Sequence, residues 1–156
     1  MSTTALIQLR PATPEDCRLI FRWRNDQRIV KLGSLGREVS WSEHERWFNE
    51  SLIRDDRKVF IIERDETAIG QVRFDRTQES DCVISVYLAP EFTGRGWGVE
   101  AIEQACAVIF ELWPVEAVLA CVRADNRAAH SAFQKAGFAS VGRRCGSNHS
   151  GFLLSR

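Results

Sequence analysis

Three glycines stand at alternate positions in the stretch "EFTGRGWGVEA", namely Gly94, Gly96 and Gly98, with Arg95 among them. Glycine tolerates positive φ and allows another atom to approach the main chain closely. The residues that follow predict a helix, and a helix N-terminus presents unpaired N–H groups and the positive end of a dipole. One glycine would suffice for a turn into a helix. Three glycines with an arginine favour a cradle for an anion, and phosphate suits it best.

The glycines lie between a predicted strand and a predicted amphipathic helix. Residues 81–90 form the strand, and apolar side chains from Val99 to Trp113 follow one helical stripe until Pro114 ends it. The apolar pattern of residues 115–122 predicts a short buried strand. A strand, a crossover helix and a strand form a right-handed unit, so the two strands should be parallel. Open sheets of this kind bind ligands at the carboxyl ends of their strands, where these glycines stand.

The rest of the chain predicts the element order β-α-α-β-β-β-α-β-α-β-β. The fold class is therefore α/β with a mixed central sheet of about seven strands and four helices, in one domain over residues 1–156. Thr13 with Pro14 and the capping box from Ser40 to Glu43 begin the first two helices. The remaining predicted elements are the strands 5–10, 58–64, 68–75, 138–144 and 151–156, the helices 13–26 and 40–53, and a helix after Asn126 that stops at Gly137.

Composition excludes several classes of protein. The 21 basic and 21 acidic side chains cancel, so no overall field favours nucleic acid or an anionic membrane. No apolar run approaches the roughly 20 residues that span a bilayer, and the N-terminal residues lack a secretory pattern. The three histidines lack metal-ligand spacing, so we expect no metal. The five scattered cysteines predict free, mostly buried thiols and a cytoplasmic location.

Two nucleotide-binding motifs are absent: there is no P-loop and no Rossmann acidic residue. Instead, "LAPEFTGRGWG" resembles the acetyl-coenzyme A loop of the GNAT superfamily of N-acyltransferases, because Leu88, Pro90, Gly96 and Gly98 fit its pattern. Thr93 departs from it, since Arg or Gln is usual there. "DNRAAHSAFQKAGF" resembles the second hallmark, an Asn followed by Lys-x-Gly-Phe. The resemblance covers the chain from about residue 9 to residue 138.

The resemblance implies acetyl-CoA as co-substrate and no metal. It places the pyrophosphate on N–H groups from Thr93 to Gly98, and it pairs the main chain of Val86 to Leu88 with the pantetheine arm like an added strand. The strands 81–90 and 115–122 must then splay apart at this end. The predicted cofactor-binding residues are Val86, Leu88, Thr93, Gly94, Arg95, Gly96, Trp97, Gly98, Asn126 and Phe133.

The stretches "FRWRND" and "SWSEHERWF" resemble the acceptor region of a narrower group, the N-acetyltransferases of UDP-4-amino-4,6-dideoxy sugars in pseudaminic acid biosynthesis. Trp41, His44 and Trp47 share roughly one helix face. Aromatic rings suit stacking on a sugar or a base, and Arg24 and His44 suit a phosphate or a base. We therefore predict that Arg24, Trp41, His44 and Trp47 bind the acceptor. The alternative is an aromatic stripe that packs in the core.

The usual acid and base of the family are missing. Phe133 stands where many members have a general-acid tyrosine, and Cys121 stands where some have a basic glutamate. Tyr87 is the sole tyrosine and lies beside the loop, so it is our candidate catalytic acid. The alternative is that Tyr87 packs on the sheet. In that case the amine attacks directly and loses its proton through water, since proximity alone contributes about 7–11 kcal/mol in favourable cases.

The sequence thus predicts an acetyl-CoA-dependent N-acetyltransferase acting on the primary amine of a small molecule, with a nucleotide-linked amino sugar as the best candidate. The second hypothesis is an N-acetyltransferase that acts on protein N-termini or on aminoglycosides. A non-catalytic acetyl-CoA-binding module is the third, because Phe133 and Cys121 leave the usual acid–base pair unfilled. The expected partner is a small-molecule amine and not nucleic acid or a membrane. The sequence is also compatible with a homodimer.

Overall fold

The computed structural model describes residues 6–33, 35–142, 145 and 148–156. In this part of the chain the strands are β1 Ile7–Pro11, β2 Arg57–Arg64, β3 Thr67–Arg76, β4 Asp81–Leu88, β5 Ala117–Arg123, β6 Ala139–Gly142 and β7 His149–Ser155. The helices are α1 Cys17–Arg24, α2 Gln27–Val30, α3 Trp41–Ile53, α4 Trp97–Leu112 and α5 Arg127–Lys135. Short 3₁₀ turns precede α1 and α4 at Pro14–Asp16 and Pro90–Phe92.

The strands form one mixed sheet in the order β1-β2-β3-β4-β5-β7-β6. β4 and β5 run parallel, and every other neighbouring pair in the described sheet is antiparallel. This confirms the predicted fold class and the parallel crossover pair, and β2 and β3 form a hairpin. That hairpin turns at Asp65 and Glu66, whose φ angles of 57° and 66° are those of a tight primed turn.

Local sequence explains where the acceptor-side helices begin. The Ser40 side chain accepts a hydrogen bond from the N–H of Glu43 at 3.2 Å, as the capping box predicts. Helix α3 starts at Trp41, directly after Ser40. The described residues hold five helices rather than the predicted four, because α2 adds a single turn directly after α1. The Asp26 side chain caps that single turn by accepting the N–H of Arg28 at 2.9 Å.

The helices cover the two faces of the sheet unequally. On one face, which we call the α4 face, α4 and α5 pack on inward residues of all the central strands, including Phe74, Ile84 and Val118. On the opposite face, the α1/α3 face, α1 and α3 pack mainly on β2 and on the end of β4. Successive residues of a strand alternate between these faces, so each strand residue can be assigned to one of them.

The parallel ladder between β4 and β5 is short. It pairs Asp81 to Ile84 with Ala117 to Ala120 and stops there, although both strands continue. From Ser85 to Leu88, β4 is paired only with β3 on its other edge. A gap therefore opens between β4 and β5 at their carboxyl ends, which confirms the predicted splay.

The prediction of free thiols is wrong for two of the five cysteines. Cys121 and Cys145 form a disulfide with a Cα–Cα distance of 5.6 Å, whereas Cys17, Cys82 and Cys106 are free and buried. Cys121 and Cys145 are 24 residues apart, so the sequence does not indicate that they pair. The fold brings β5 next to the connection between β6 and β7, where Cys145 lies. No described helix is both long enough and apolar enough to cross a membrane.

Candidate active site

The glycine loop meets the start of α4 in the geometry of an anion cradle. Gly94 and Gly96 have φ of 76° and 80°, and Gly96 is the residue that caps α4. A Cβ placed on either glycine would meet nothing within 4 Å, so the space in front of the loop is open. Within the described chain, the N–H groups of residues 94–98 have no hydrogen-bond acceptor. Unpaired N–H groups at a helix N-terminus suit a pyrophosphate.

Thr93 differs from the rest of the loop. Its N–H donates to the Pro90 carbonyl at 3.3 Å, and its hydroxyl donates to the same oxygen at 2.8 Å. The Thr93 N–H is therefore already paired, unlike the N–H groups of residues 94–98. Arg95 lies over the ring of Trp97, with 5.2 Å between the guanidinium and the ring centroid. Arg64 lies 4.3 Å from the same ring, so two cations flank Trp97 at the mouth of the cradle.

The free edge of β4 leads from the loop into the gap. Val86 and Leu88 turn their side chains into the core of the α4 face, and they pair with Val72 and Gly70 of β3. Their main chain is left without a partner on the β5 side, because the ladder has stopped. An amide-bearing chain can hydrogen-bond there as an added strand.

The two residues predicted from the second motif have structural contacts. The Asn126 side chain caps α5 by accepting the N–H of Ala129 at 3.2 Å. Phe133 is buried in the core of the α4 face, with its ring 5.0 Å from that of Phe138. The open glycine loop, its unpaired N–H groups and the free strand edge nonetheless fit a coenzyme A molecule.

Tyr87 lies on the opposite face, the α1/α3 face. It is the second-last residue of β4, just before the loop. Its hydroxyl donates to Oε1 of Gln71 at 2.6 Å, and its ring lies edge-on to Trp23. Burial raises the pKa of the Tyr87 phenol above its usual value of 10.0, so the hydroxyl keeps its proton at neutral pH. The phenol therefore carries a proton, and Gln71 fixes the direction of its O–H bond.

Arg24, at the end of α1, points to the same region. Its Nη1 lies 3.2 Å from Nδ1 of His44, and Nε2 of that ring lies 2.8 Å from the Cys17 carbonyl. His44 is fully buried, and burial lowers its pKa. Both ring nitrogens are occupied, so the structure corrects the prediction that His44 contacts the acceptor directly. His44 instead holds Arg24 from behind.

Trp47 is the centre of a cationic cluster on this face. The guanidinium groups of Arg24, Arg57 and Arg73 lie 4.6, 5.6 and 5.5 Å from its ring centroid. Asp75 pairs with Arg57 at 2.5 Å and with Arg73 at 2.9 Å. Among the described residues, no carboxylate lies within ion-pair distance of Arg24. One carboxylate for three guanidiniums leaves the cluster positive.

Trp41 lies apart from that cluster. Its ring is edge-on to Phe21 at 5.2 Å and carries the Arg18 guanidinium at 5.0 Å. These three residues and Arg22 line an open pocket of about 480 Å³ on the outer side of α1 and α3. The His44 ring lies 6.0 Å from Trp41 and 5.9 Å from Trp47, so the three rings form the face that the sequence predicts, with the two tryptophans in different surroundings at its ends.

Gln71 and Arg73 of β3 also belong to this region and are not among the residues predicted from sequence. The signal was present in "AIGQVRFD", where polar Gln71, Arg73 and Asp75 alternate with apolar residues. Such alternation shows that one face of a strand is not packed against a hydrophobic core. The register places Gln71 opposite Tyr87 and Arg73 opposite Ser85, whose hydroxyl accepts from Arg73 at 3.3 Å.

Comparison with known proteins identifies the family of this arrangement. Residues 7–139 match the model of the acetyltransferase (GNAT) domain. Among curated proteins, the chain is similar to the acetyltransferase PseH of Campylobacter jejuni subsp. jejuni, with 26% identity over 121 residues, which are 78% of this chain and 75% of that protein.

Solved structures share the fold at low identity. The spermidine N-acetyltransferase from Vibrio cholerae, in complex with coenzyme A and spermine, has a TM-score of 0.84 and 19% identity over 96% of this chain and 95% of that one. The aminoglycoside acetyltransferase AAC(6')-Ib, in complex with coenzyme A, has a TM-score of 0.85 and 18% identity over 96% and 95%. Both likenesses concern the fold.

Proposed function

The chain belongs to the GNAT acetyltransferase family and uses acetyl-CoA as its co-substrate. We propose that its acceptor is the primary amine of an anionic small molecule. The leading candidate is a nucleotide-linked amino sugar. The observation that carries this proposal is Arg24. It is a half-buried guanidinium that has a histidine behind it and, in the described chain, no carboxylate partner.

The charge of the cluster argues for an anion in the acceptor. A guanidinium taken partly out of water without a counter-ion is costly, and burial lowers the Arg24 pKa accordingly. A phosphate or carboxylate on the acceptor would supply that counter-ion through charge-assisted hydrogen bonds. Arg73 lies 5.5 Å from the Trp47 ring centroid and adds a second positive group, which shares Asp75 with Arg57. An amine-rich cation such as a polyamine would meet repulsion in this region.

The aromatic groups suit the rest of such an acceptor. Trp47 is only half-buried, so part of its ring remains available to stack on a sugar or a base. In this proposal Trp41 and its pocket would serve a more distant part of the same molecule, because Trp41 lies on the outer side of α1 and α3. The similarity to acetyltransferase PseH agrees with an acceptor of this class.

The chain's own residues leave few candidates for proton transfer. The thioester of acetyl-CoA supplies the acetyl group and a thiolate that leaves. Tyr87 is protonated and projects from the α1/α3 face of the sheet. It belongs to β4, the strand that borders the gap. Cys121 is held in a disulfide and Phe133 has no proton to give. We therefore assign the general-acid role to Tyr87 and assign loss of the amine proton to water.

A thiol-release screen with acetyl-CoA tests the proposal. The panel should pair each nucleotide-linked amino sugar with the same amino sugar lacking the nucleotide, beside spermidine, an aminoglycoside and a peptide with a free N-terminus. We expect the highest kcat/KM for a phosphate-bearing acceptor and at least a tenfold loss when the nucleotide is removed. A best acceptor without an anionic group would refute the assignment of Arg24. The single domain and the cytoplasmic location are further proposals that rest on the sequence.

A further inference from the structure

Cys121 lies at the closed end of the gap between β4 and β5. The last parallel pair is Ile84 with Ala120, so Cys121 is the first β5 residue without a β4 partner. Its neighbours Ala120 and Val122 are in the core of the α4 face, so Cys121 projects from the other face, where it is exposed. Continuing the register would place it opposite Ser85.

The disulfide therefore stands where the gap begins. Cys121 is joined to Cys145, and both sulfurs belong to the side of the sheet that carries Tyr87 and Arg73. β4 extends three residues from Leu88 back to Ser85, which is about 10 Å of strand. A chain held at the glycine loop and laid along this edge directs its far end towards Cys121.

We propose that Cys121 is a modification site for coenzyme A itself, in which the thiol of the reaction product opens the Cys121–Cys145 disulfide. The proposal rests on the proposed function, because the acetyl transfer places the free thiol in the gap. The result is a mixed disulfide between coenzyme A and Cys121, with Cys145 released as a thiol.

The exchange balances without an added oxidant. The coenzyme A thiol loses its proton, and its sulfur attacks Sγ of Cys121. One bond forms between these two sulfurs, while the bond from Cys121 to Cys145 breaks. The coenzyme A sulfur is oxidised to the disulfide level, and the Cys145 sulfur is reduced and takes a proton. Acetyl-CoA has no free thiol, so only the product reacts. The bound product then occupies the gap and excludes acetyl-CoA.

The other cysteines provide an internal comparison. Cys17, Cys82 and Cys106 are buried free thiols. Burial raises the pKa of Cys82 and Cys106 to about 12, and it raises the pKa of Cys17 as well. A free thiol and coenzyme A form no disulfide without an oxidant, so these three cysteines have no bond that coenzyme A can open. Modification by coenzyme A should therefore map to one position.

Intact-protein mass spectrometry tests the proposal. The oxidised protein is incubated with excess coenzyme A and quenched in acid, so that Cys145 does not displace the adduct. We expect a gain of one coenzyme A, its removal by a phosphine reductant, and peptide mapping to Cys121. Acetyl-CoA should give no adduct. Glutathione, a thiol without the nucleotide handle, should react at least ten times more slowly at equal concentration.

Two variants complete the design. Cys121→Ser lacks the acceptor sulfur and Cys145→Ser lacks the disulfide to be opened, so neither should gain coenzyme A under these conditions. Calorimetry with acetyl-CoA separates the two hypotheses. If acetyl-CoA binds to wild type but coenzyme A forms no adduct, or if glutathione reacts equally fast, the modification site is refuted while the acetyltransferase assignment stands. If acetyl-CoA does not bind, the cradle itself is refuted.

Discussion

Nη1 of Arg24 lies 3.2 Å from Nδ1 of His44, while Nε2 of the same ring lies 2.8 Å from the Cys17 carbonyl. Arginine only donates, so Nδ1 must accept, and Nε2 must carry the proton that it donates to the carbonyl. The ring is therefore a neutral tautomer. A buried neutral histidine thus orients Arg24 without cancelling its charge, and the other guanidinium donors remain available to a ligand.

The first prediction concerns pH and His44. Burial lowers its pKa below the usual 6.5, so the folded protein binds fewer protons than the unfolded chain. The stabilising contribution is complete above about pH 6.5 and is lost as pH falls towards the folded-state pKa. We expect thermal stability to fall between pH 7 and 5 more steeply in wild type than in His44→Gln. A His149→Gln variant controls for the loss of a histidine. Equal slopes in wild type and His44→Gln would contradict the neutral tautomer.

The second prediction concerns Arg24 as an anion ligand. Arg24→Ala should raise the KM of a phosphate-bearing acceptor by about tenfold to a hundredfold, the value of a charge-assisted hydrogen bond. Steady-state kinetics measures this, and calorimetry should show acetyl-CoA affinity within about twofold of wild type. Arg46→Ala is the control, because Arg46 is exposed on α3, has no ion pair in the described chain and does not line the Trp41 pocket. A similar KM effect from both variants would argue for a diffuse field instead.

Sequence and structure agree wherever a local rule decides the conformation. Ser40 and Glu43 determine a helix start, and Asp65 and Glu66 form the turn of a hairpin, because both depend on residues a few positions apart. The splay followed from the two-motif resemblance.

The disagreements all depend on long-range contacts. Cys121 meets Cys145 only through the order β5-β7-β6, which the cysteine spacing does not encode. His44 carries the same helical phase as Trp41 and Trp47, but α1 covers it through Phe21 and the Cys17 carbonyl. Periodicity identifies a helix face, whereas the packing of the neighbouring helix decides which of its residues reach a ligand.

The third prediction separates the cradle from backbone strain. Gly98 lies in the first turn of α4 without a positive φ, and a Cβ there would approach only Leu88, at 3.9 Å. Gly98→Val should therefore keep its melting temperature but lose at least tenfold in acetyl-CoA affinity by calorimetry. Gly96→Val should lose both, because Gly96 has φ of 80°.

Gly36→Val supplies the control for strain alone. Gly36 has φ of 71° in the connection before α3, with open space around it, so the variant should lose stability but keep its affinity for acetyl-CoA. If Gly98→Val binds acetyl-CoA as wild type does, the cradle does not lie at the N-terminus of α4.

The last prediction tests Tyr87 as the general acid. The Gln71 contact holds the hydroxyl at 2.6 Å, and the raised pKa keeps it protonated beyond pH 10. Tyr87→Phe should lower kcat by about 10²–10⁴, the usual range for a general acid, and leave acetyl-CoA affinity nearly unchanged. Gln71→Leu retains the phenol but removes its partner, so its kcat should fall less than that of Tyr87→Phe. Wild-type kcat should show no decline below pH 10 from this group. A kcat for Tyr87→Phe within about threefold of wild type would show that the phenol only packs on the sheet and that water protonates the leaving thiolate.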